Sequence, residues 1–210
     1  MNDRKPDLLA AYAVQTPEEN RKLYADWAET YDDGFAQQND YRLPQMVALI
    51  LAEQFDGTGP VLDVGAGTGL VAQSIPDRAG LEIDALDISA QMLAVAARKG
   101  LYRHTIEADL NAPLEIPDAT YAAVVSSGTF THGHVGPEAL DALLRIARPG
   151  ALFVLAVNAA HFEARGFAAK FESLAGDLDG LEFRRVPIYG AGAAADHRDD
   201  HATIAVFRRR

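Results

Sequence analysis

Three carboxylates, three glycines and two histidines are the residues whose types and spacing suggest chemistry. Asp63 follows the apolar pair Val61-Leu62 and stands two residues before Gly65, with Gly67 and Gly69 at the next alternate positions. Such a run reads as a strand that ends in a tight turn and opens a helix. Glycines in that turn accept dihedrals other residues avoid and let the backbone approach a ligand closely. Asp87 ends a second apolar run and Asp109 follows a third. His132 and His134 follow a fourth, where ligands bind in open parallel sheets. An imidazole titrates near neutrality, so either could take a proton from an acceptor group. Equally, Gly133 and Gly136 could shape a turn in which the histidines bond only backbone.

The elements that must carry these side chains are legible in the pattern. Thr16 can cap a helix, Pro17 suits its first turn, and Glu19 stands three residues after the cap. Leu23, Tyr24, Trp27 and Tyr31 follow at helical spacing, with an end near Gly34. Pro44 opens a second helix over 45–54. From residue 60 the pattern alternates. Strands are expected over 60–64, 82–86, 103–107, 121–126 and 151–157, and helices over 68–76, 89–99 and 137–147. Ser89 can cap the middle helix, and Pro149-Gly150 should break the chain before the fifth strand. Alternating strands and helices imply an α/β, doubly wound, mostly parallel sheet. After a helix over 161–174, strands over 182–189 and 202–208 are joined by an irregular loop, 190–201, as expected of an antiparallel pair at a sheet edge.

Bulk properties narrow the function. With 210 residues the chain is expected to be one domain: a helical lid over 1–56, a core over 57–158, and a C-terminal helix and hairpin over 159–210. It has no cysteine, which removes disulfides, thiolate metal sites and cysteine nucleophiles. The formal net charge of −11 disfavours nucleic acid as a partner. Arg208-Arg209-Arg210 reads as a solvated strand end. No 18-residue apolar run and no apolar leader occur, so no membrane helix is expected and a cytoplasmic location is. His197 and His201 flank Arg198-Asp199-Asp200 in the loop and read as solvated rather than as a metal site.

Two nucleotide ligands compete for the glycine turn, a nicotinamide dinucleotide and S-adenosylmethionine. Asp87 suits the ribose of either. The dinucleotide fingerprint wants glycine or alanine at its sixth position, where this chain has Leu70. Asp63 offers nothing to a pyrophosphate but a charge-assisted partner to an amino acid's ammonium group. Asp109 can accept from an adenine amino group.

With these parts the chain resembles the class I S-adenosylmethionine-dependent methyltransferases over residues 20–210. The resemblance rests on 61–69, Leu86-Asp87-Ile88-Ser89, Ala108-Asp109-Leu110, the strand from Tyr121, and 144–150 before the fifth strand. It implies a Rossmann-like seven-stranded sheet with an antiparallel last strand and an N-terminal helical lid. It places Gly65, Ala66, Gly67 and Gly69 along the donor, Asp87 at its ribose, Asp109 and Leu110 at its adenine, Ile88 and Met92 against the ring, and Asp63 near its ammonium. Ser126, at the end of the fourth strand, belongs to the same set. The block 24–32, with its Trp27 and Tyr31, is similar to the lid of small-molecule methyltransferases, and with 126–134 it resembles the Williams–Beuren region methyltransferase-like group. The implied activity is in-line methyl transfer to a small-molecule acceptor, with His132 and His134 as candidate bases and no metal. The competing reading is a non-catalytic module that binds the donor or its homocysteine product and regulates a partner. The acceptor and the oligomeric state are not readable from these residues.

Overall fold

The computed structural model describes residues 14, 16–78, 80–131, 135–193, 197 and 199–210. Its framework is one seven-stranded sheet, built from β1 (Val61–Val64), β2 (Ile83–Asp87), β3 (His104–Glu107), β4 (Tyr121–Phe130), β5 (Ala147–Asn158), β6 (Leu178–Pro187) and β7 (His201–Arg209). The order across the sheet is β3-β2-β1-β4-β5-β7-β6. β1 to β5 pair in parallel, whereas β7 runs antiparallel to both β5 and β6. This is the doubly wound, mostly parallel sheet with an antiparallel C-terminal strand that the pattern implies.

Successive side chains of a strand point to opposite faces, so each central strand feeds two cores. Val61, Ile83, Val125 and Val154 pack on one side with Val47, Ala48 and Leu51 of α2 (Leu43–Gln54). Leu62, Leu86, Val124 and Phe153 pack on the other, against Leu140, Leu143 and Ile146 of α5 (Ala139–Ile146). α3 (Leu70–Ser74) and α4 (Ala90–Arg98) join the first side, through Val71, Ala72 and Met92. Ser89 caps α4, its hydroxyl accepting the Met92 amide at 3.3 Å. Thr16 does the same for α1 (Pro17–Trp27), accepting the Glu19 amide at 3.2 Å.

Several expected boundaries move, each for a local reason. The lid helix does not run straight to Gly34. After Trp27 it tightens into a 3₁₀ turn (Ala28–Thr30) and widens into a π-helical segment (Tyr31–Ala36). Pro149-Gly150 does not interrupt the chain before β5; it lies inside that strand. Gly150 takes φ +81°, and the strand bulges where the register steps from Tyr121/Ala147 to Ala123/Leu152. The expected helix over 161–174 is two helices, α6 (Ala159–Ala164) and α7 (Phe167–Ser173), separated at Gly166, which is left-handed at φ +74°. β6 begins four residues early, at Leu178, through a bulge between Asp179 and Glu182.

Arg208 and Arg210 are exposed, as expected of a solvated strand end, and the arginines also bond backbone. The Arg208 guanidinium donates to the carbonyls of Gln54 at 2.7 Å and Gly150 at 3.0 Å, and Arg209 donates to the carbonyl of Ala147. In the loop before β7, His197 Nδ1 lies 3.0 Å from the Asp200 carboxylate, and His201 Nδ1 lies 2.7 Å from the Asp199 carbonyl. Among the described residues no cluster of three or more potential metal ligands forms, and no helix is long and apolar enough to cross a membrane.

One polar group inside the sheet carries weight. Asp84 of β2 is buried, and it accepts from Arg103 Nε at 3.0 Å, from the second Arg103 nitrogen at 2.9 Å and from the Tyr121 hydroxyl at 3.1 Å. Burial alone would push this carboxyl up; the hydrogen bonds and charge of Arg103 and the Tyr121 hydroxyl hold it below its ordinary range. A depressed carboxylate stabilises the fold above the unfolded-state pKa and stops doing so as acid protonates it. Asp84→Asn is expected to cost about 2 kcal/mol in denaturant unfolding at pH 7, a charged hydrogen-bond partner being worth roughly that much. The difference from the parent should shrink below about pH 4.

Candidate active site

The C-terminal ends of β1, β2 and β4 surround a cavity of about 930 Å³ of open space beside the glycine turn. The turn is built by three glycines that do different work. All are left-handed, at φ +63°, +54° and +92° for Gly65, Gly67 and Gly69. A side chain at Gly65 would collide with Thr129 of β4, so this glycine permits contact between β1 and β4. A methyl at Gly69 would come within 2.9 Å of the Tyr102 ring. At Gly67 a methyl would meet nothing within 4 Å, and the missing side chain leaves the cavity open.

Asp87 fixes the turn to the neighbouring strand. One carboxylate oxygen accepts the Gly67 amide at 2.8 Å and the other accepts the Ser89 amide at 2.8 Å. Burial pushes its carboxyl up, and these backbone donors pull it partly back. Capping the chain ahead of α4 and facing the cavity are therefore one role of this residue, not alternatives. β4 contributes through a bulge: the five residues of β4 from Ser126 to Phe130 match the three of β5 from Leu155 to Val157, with Gly128 at φ +88°. The bowed segment brings Ser127, Gly128 and Thr129 onto the cavity wall. On the far side Asp109 accepts the Asn111 amide at 2.9 Å in a tight turn while also lining the cavity.

The lid is strapped down by polar contacts. Asp32, in its π-helical segment, accepts the Thr68 hydroxyl at 2.5 Å and the Lys99 ammonium at 2.5 Å. Glu29 pairs with Arg98 at 2.7 Å, and Arg21 Nε donates to the Ile88 carbonyl at 3.3 Å. These contacts hold Tyr31 and Tyr24 over the cavity.

Most of the residues singled out in the sequence line this cavity: Gly65, Ala66 and Gly67 in the turn; Asp87, Ile88 and Met92 after β2; Asp109 and Leu110 after β3; and Tyr31 from the lid. Four lie off its wall. Trp27 is buried and lines a second cavity instead. Gly69 is covered by Tyr102. Ser126 is wholly buried, its hydroxyl donating to the Val64 carbonyl at 2.8 Å, so it clasps β1 to β4. Asp63 sits beneath the turn and accepts the Tyr102 hydroxyl at 2.6 Å. Its second oxygen is buried with no hydrogen-bond partner. Burial pushes this carboxyl up to about 7, with the Tyr102 hydrogen bond opposing and the nearby Asp87 charge adding to the rise. His132 and His134 lie outside the described residues.

Sequence reading missed Tyr41, Tyr102 and the segment 127–129. Tyr41 reaches the wall because its backbone bridges Tyr189 across the sheet edge, a contact between residues far apart in sequence. Tyr102 stands in a loop, and nothing in its neighbours marks it as the partner of Asp63.

A methyltransferase-domain family model matches residues 61–150. Human methyltransferase-like protein 27 is 30% identical over 179 residues, covering 82% of this chain and 70% of that protein. The malonyl-[acyl-carrier protein] O-methyltransferase of Enterobacter lignolyticus is 35% identical over 126 residues, which cover 60% of this chain and 49% of that enzyme, so the chain spans about half its length. Among solved structures the [4+2]-cyclase SpnF superposes with a TM-score of 0.69 at 16% identity, over 94% of this chain and 97% of that one. That likeness concerns the fold. Fold, sequence and glycine turn together place the chain in the class I S-adenosylmethionine-dependent methyltransferases, to which it belongs. Within that class its similarity to the human protein fits the methyltransferase-like group.

The residues present suit S-adenosylmethionine. Gly67 leaves an open approach, Asp87 and Asp109 bring carboxylates to the rim, and the orphaned Asp63 oxygen lacks a donor that an ammonium group, directly or through water, would supply. Two outcomes are expected. Gly67→Ala should weaken binding of S-adenosylhomocysteine about tenfold in calorimetry and lower Tm only through its left-handed backbone, whereas Gly69→Ala should lower Tm more, because its methyl also strikes Tyr102. Secondly, a carboxyl raised in the folded state gives up stability as pH rises through 7, and a bound cation reverses this by favouring its charged form. Binding should therefore release about half a proton at pH 7, a group with pKa about 7 being half protonated there. Calorimetry in buffers of different ionisation enthalpy should detect the release in the parent and not in Asp63→Asn.

Proposed function

We propose that this methyltransferase acts on a small molecule, in the cytoplasm, rather than on a nucleic acid or a large protein surface. The observation that carries the reading is a second cavity of about 570 Å³ of open space. It adjoins the first across Tyr24, Tyr31, Tyr41 and Gly128, which line both. Lid residues Trp27 and Phe35 wall it on one side, and Ile188 and Tyr189, before β7, on another. A recess walled in this way suits a compact acceptor. The net charge of −11 adds to the case against a polyanionic substrate.

S-adenosylmethionine supplies a methyl group already activated by a positively charged sulfur. The chain's own task is then alignment. Asp87 would hold ribose hydroxyls and Asp109 the adenine amino group, while Ile88, Met92 and Leu110 pack against the flat ring. Tyr31, at the junction of the cavities, would present its face to the sulfonium, a contact worth on the order of 0.5–2 kcal/mol. Preorganised geometry of this kind can remove roughly 7–11 kcal/mol from a displacement barrier. Closed over bound donor and acceptor, the strapped lid would keep water from the junction and suppress competing reactions.

The malonyl acceptor of the O-methyltransferase relative is a weak guide to this chain. Only 49% of that enzyme's length has a counterpart here, and the second cavity's described walls carry no lysine or arginine to pair with a carboxylate.

Methyl-tritium transfer from S-adenosylmethionine across a panel of metabolites under 400 Da, with tRNA, DNA and unfolded protein as controls, tests the reading. Label is expected in at least one small molecule and in none of the polymers. Label in a polymer, or tight donor binding with no acceptor turned over, would contradict it.

A further inference from the structure

We propose that the second cavity takes an arylalkyl amine, a flat aromatic ring that carries its amine on a saturated carbon, bound through the ring face and reacting as the neutral amine. This rests on the methyl-transfer reading above. The described wall is aromatic and without charge. Trp27, Phe35, Tyr41 and Tyr189 form a continuous ring cluster: Trp27–Phe35 centroids are 5.1 Å apart, Phe35–Tyr41 5.6 Å and Tyr41–Tyr189 5.7 Å. No Asp, Glu, Lys, Arg or His side chain stands among the residues described on that wall. Asn158, at the end of β5, brings an uncharged amide whose oxygen is already engaged by the His161 backbone N–H at 3.2 Å.

These walls sort acceptors by charge. A carboxylate or phosphate brought here would lose its water and find no cation, which is strongly unfavourable. An amine fares differently. Burial among aromatic faces with no carboxylate beside it drives an ammonium toward its neutral form, while any residual positive charge is favoured by the ring faces. A neutral amine also needs no base. The tyrosines could not provide one: burial pushes Tyr41 up to about 12 and raises Tyr31 well above its ordinary value. A hydroxyl acceptor would have to find its base elsewhere.

The opening between the cavities is set by Gly128. Any side chain there would come within 2.8 Å of the Tyr41 hydroxyl, so this glycine keeps the passage clear. Through it the amine nitrogen's lone pair forms the new N–C bond to the methyl carbon as the C–S bond breaks and its electron pair goes to sulfur. The methylated ammonium then loses its proton to water outside the site.

Trp27 is the chain's single tryptophan and lies on this wall, so its emission reports occupancy of this cavity without any turnover. The full chain, saturated with S-adenosylhomocysteine, is titrated with benzylamine, benzyl alcohol and benzoate. Benzylamine should change Trp27 emission with a Kd at least tenfold below that of benzoate, and its affinity should rise between pH 7 and pH 9. Tyr189→Ala should weaken benzylamine at least fivefold and leave S-adenosylhomocysteine affinity unchanged, because Tyr189 lies off the donor cavity. Benzoate binding as tightly as benzylamine, an affinity indifferent to pH, or emission unmoved by the amine would overturn the proposal while the donor site stands. Failure of S-adenosylhomocysteine itself to bind would instead strike the methyl-transfer reading.

Discussion

The Asp87 carboxylate is the constraint on which the site depends. Its two oxygens accept amides from two elements, Gly67 in the turn after β1 and Ser89 at the head of α4. Backbone donors are short and rigid, so this single side chain fixes the glycine turn against the end of β2. The turn in turn decides what can stand beside it. Thr129 can occupy the space next to Gly65 only because no side chain is there, and its hydroxyl reaches the Val64 carbonyl at 2.8 Å. Asp87, the turn and the bulge of β4 therefore lock as one unit around the donor cavity.

A second lock closes the site from above. Asp32 joins the lid to the turn through Thr68 and to the end of α4 through Lys99, both at 2.5 Å. The change from α-helix to π-helix near Tyr31 widens the backbone at this point. That widening accompanies two opposed demands on adjacent residues: Asp32 reaches outward to its partners while Tyr31 turns in over the junction. An anion pinned between a hydroxyl and an ammonium is screened by salt less than an exposed pair, since both Asp32 and Lys99 are mostly covered. The lid is thus held shut by polar contacts at its rim, over one cavity edged by the Asp87 and Asp109 carboxylates and a second whose described lining is mostly aromatic and apolar.

What the sequence disclosed follows from how local each signal is. Val61 to Gly69, the Ser89 cap and the alternation of strands and helices are local patterns, and the structure carries the mostly parallel sheet they imply, while the strand order came only with the fold. Boundaries moved where a glycine allowed a bulge or a left-handed residue, as at Gly150 and Gly166, since such a residue can continue or divide an element depending on tertiary contacts. Trp27 and Tyr31, four residues apart, read as a shared lid face; both line the second cavity, but only Tyr31 also reaches the first, the helix changing pitch between them. Asp63 reads as a ligand residue by spacing alone; its burial under the turn and its bond to Tyr102 depend on a residue 39 positions away. Tyr41 and Tyr189 meet only through an isolated bridge between distant segments, which no periodicity reveals.

The account stands on the claim that the acids after β2 and β3, Asp87 and Asp109, hold one adenosyl amino-acid ligand beside the glycine turn, with Asp63 of β1 buried beneath that turn. A crystal structure of the chain with S-adenosylhomocysteine tests it most directly. The ribose should lie against Asp87, the adenine between Ile88 and Leu110 near Asp109, and the sulfur should face Tyr31 and Gly128 at the mouth of the second cavity. A ligand bound elsewhere, or one lying along the turn with its sulfur directed away from that mouth, would contradict it.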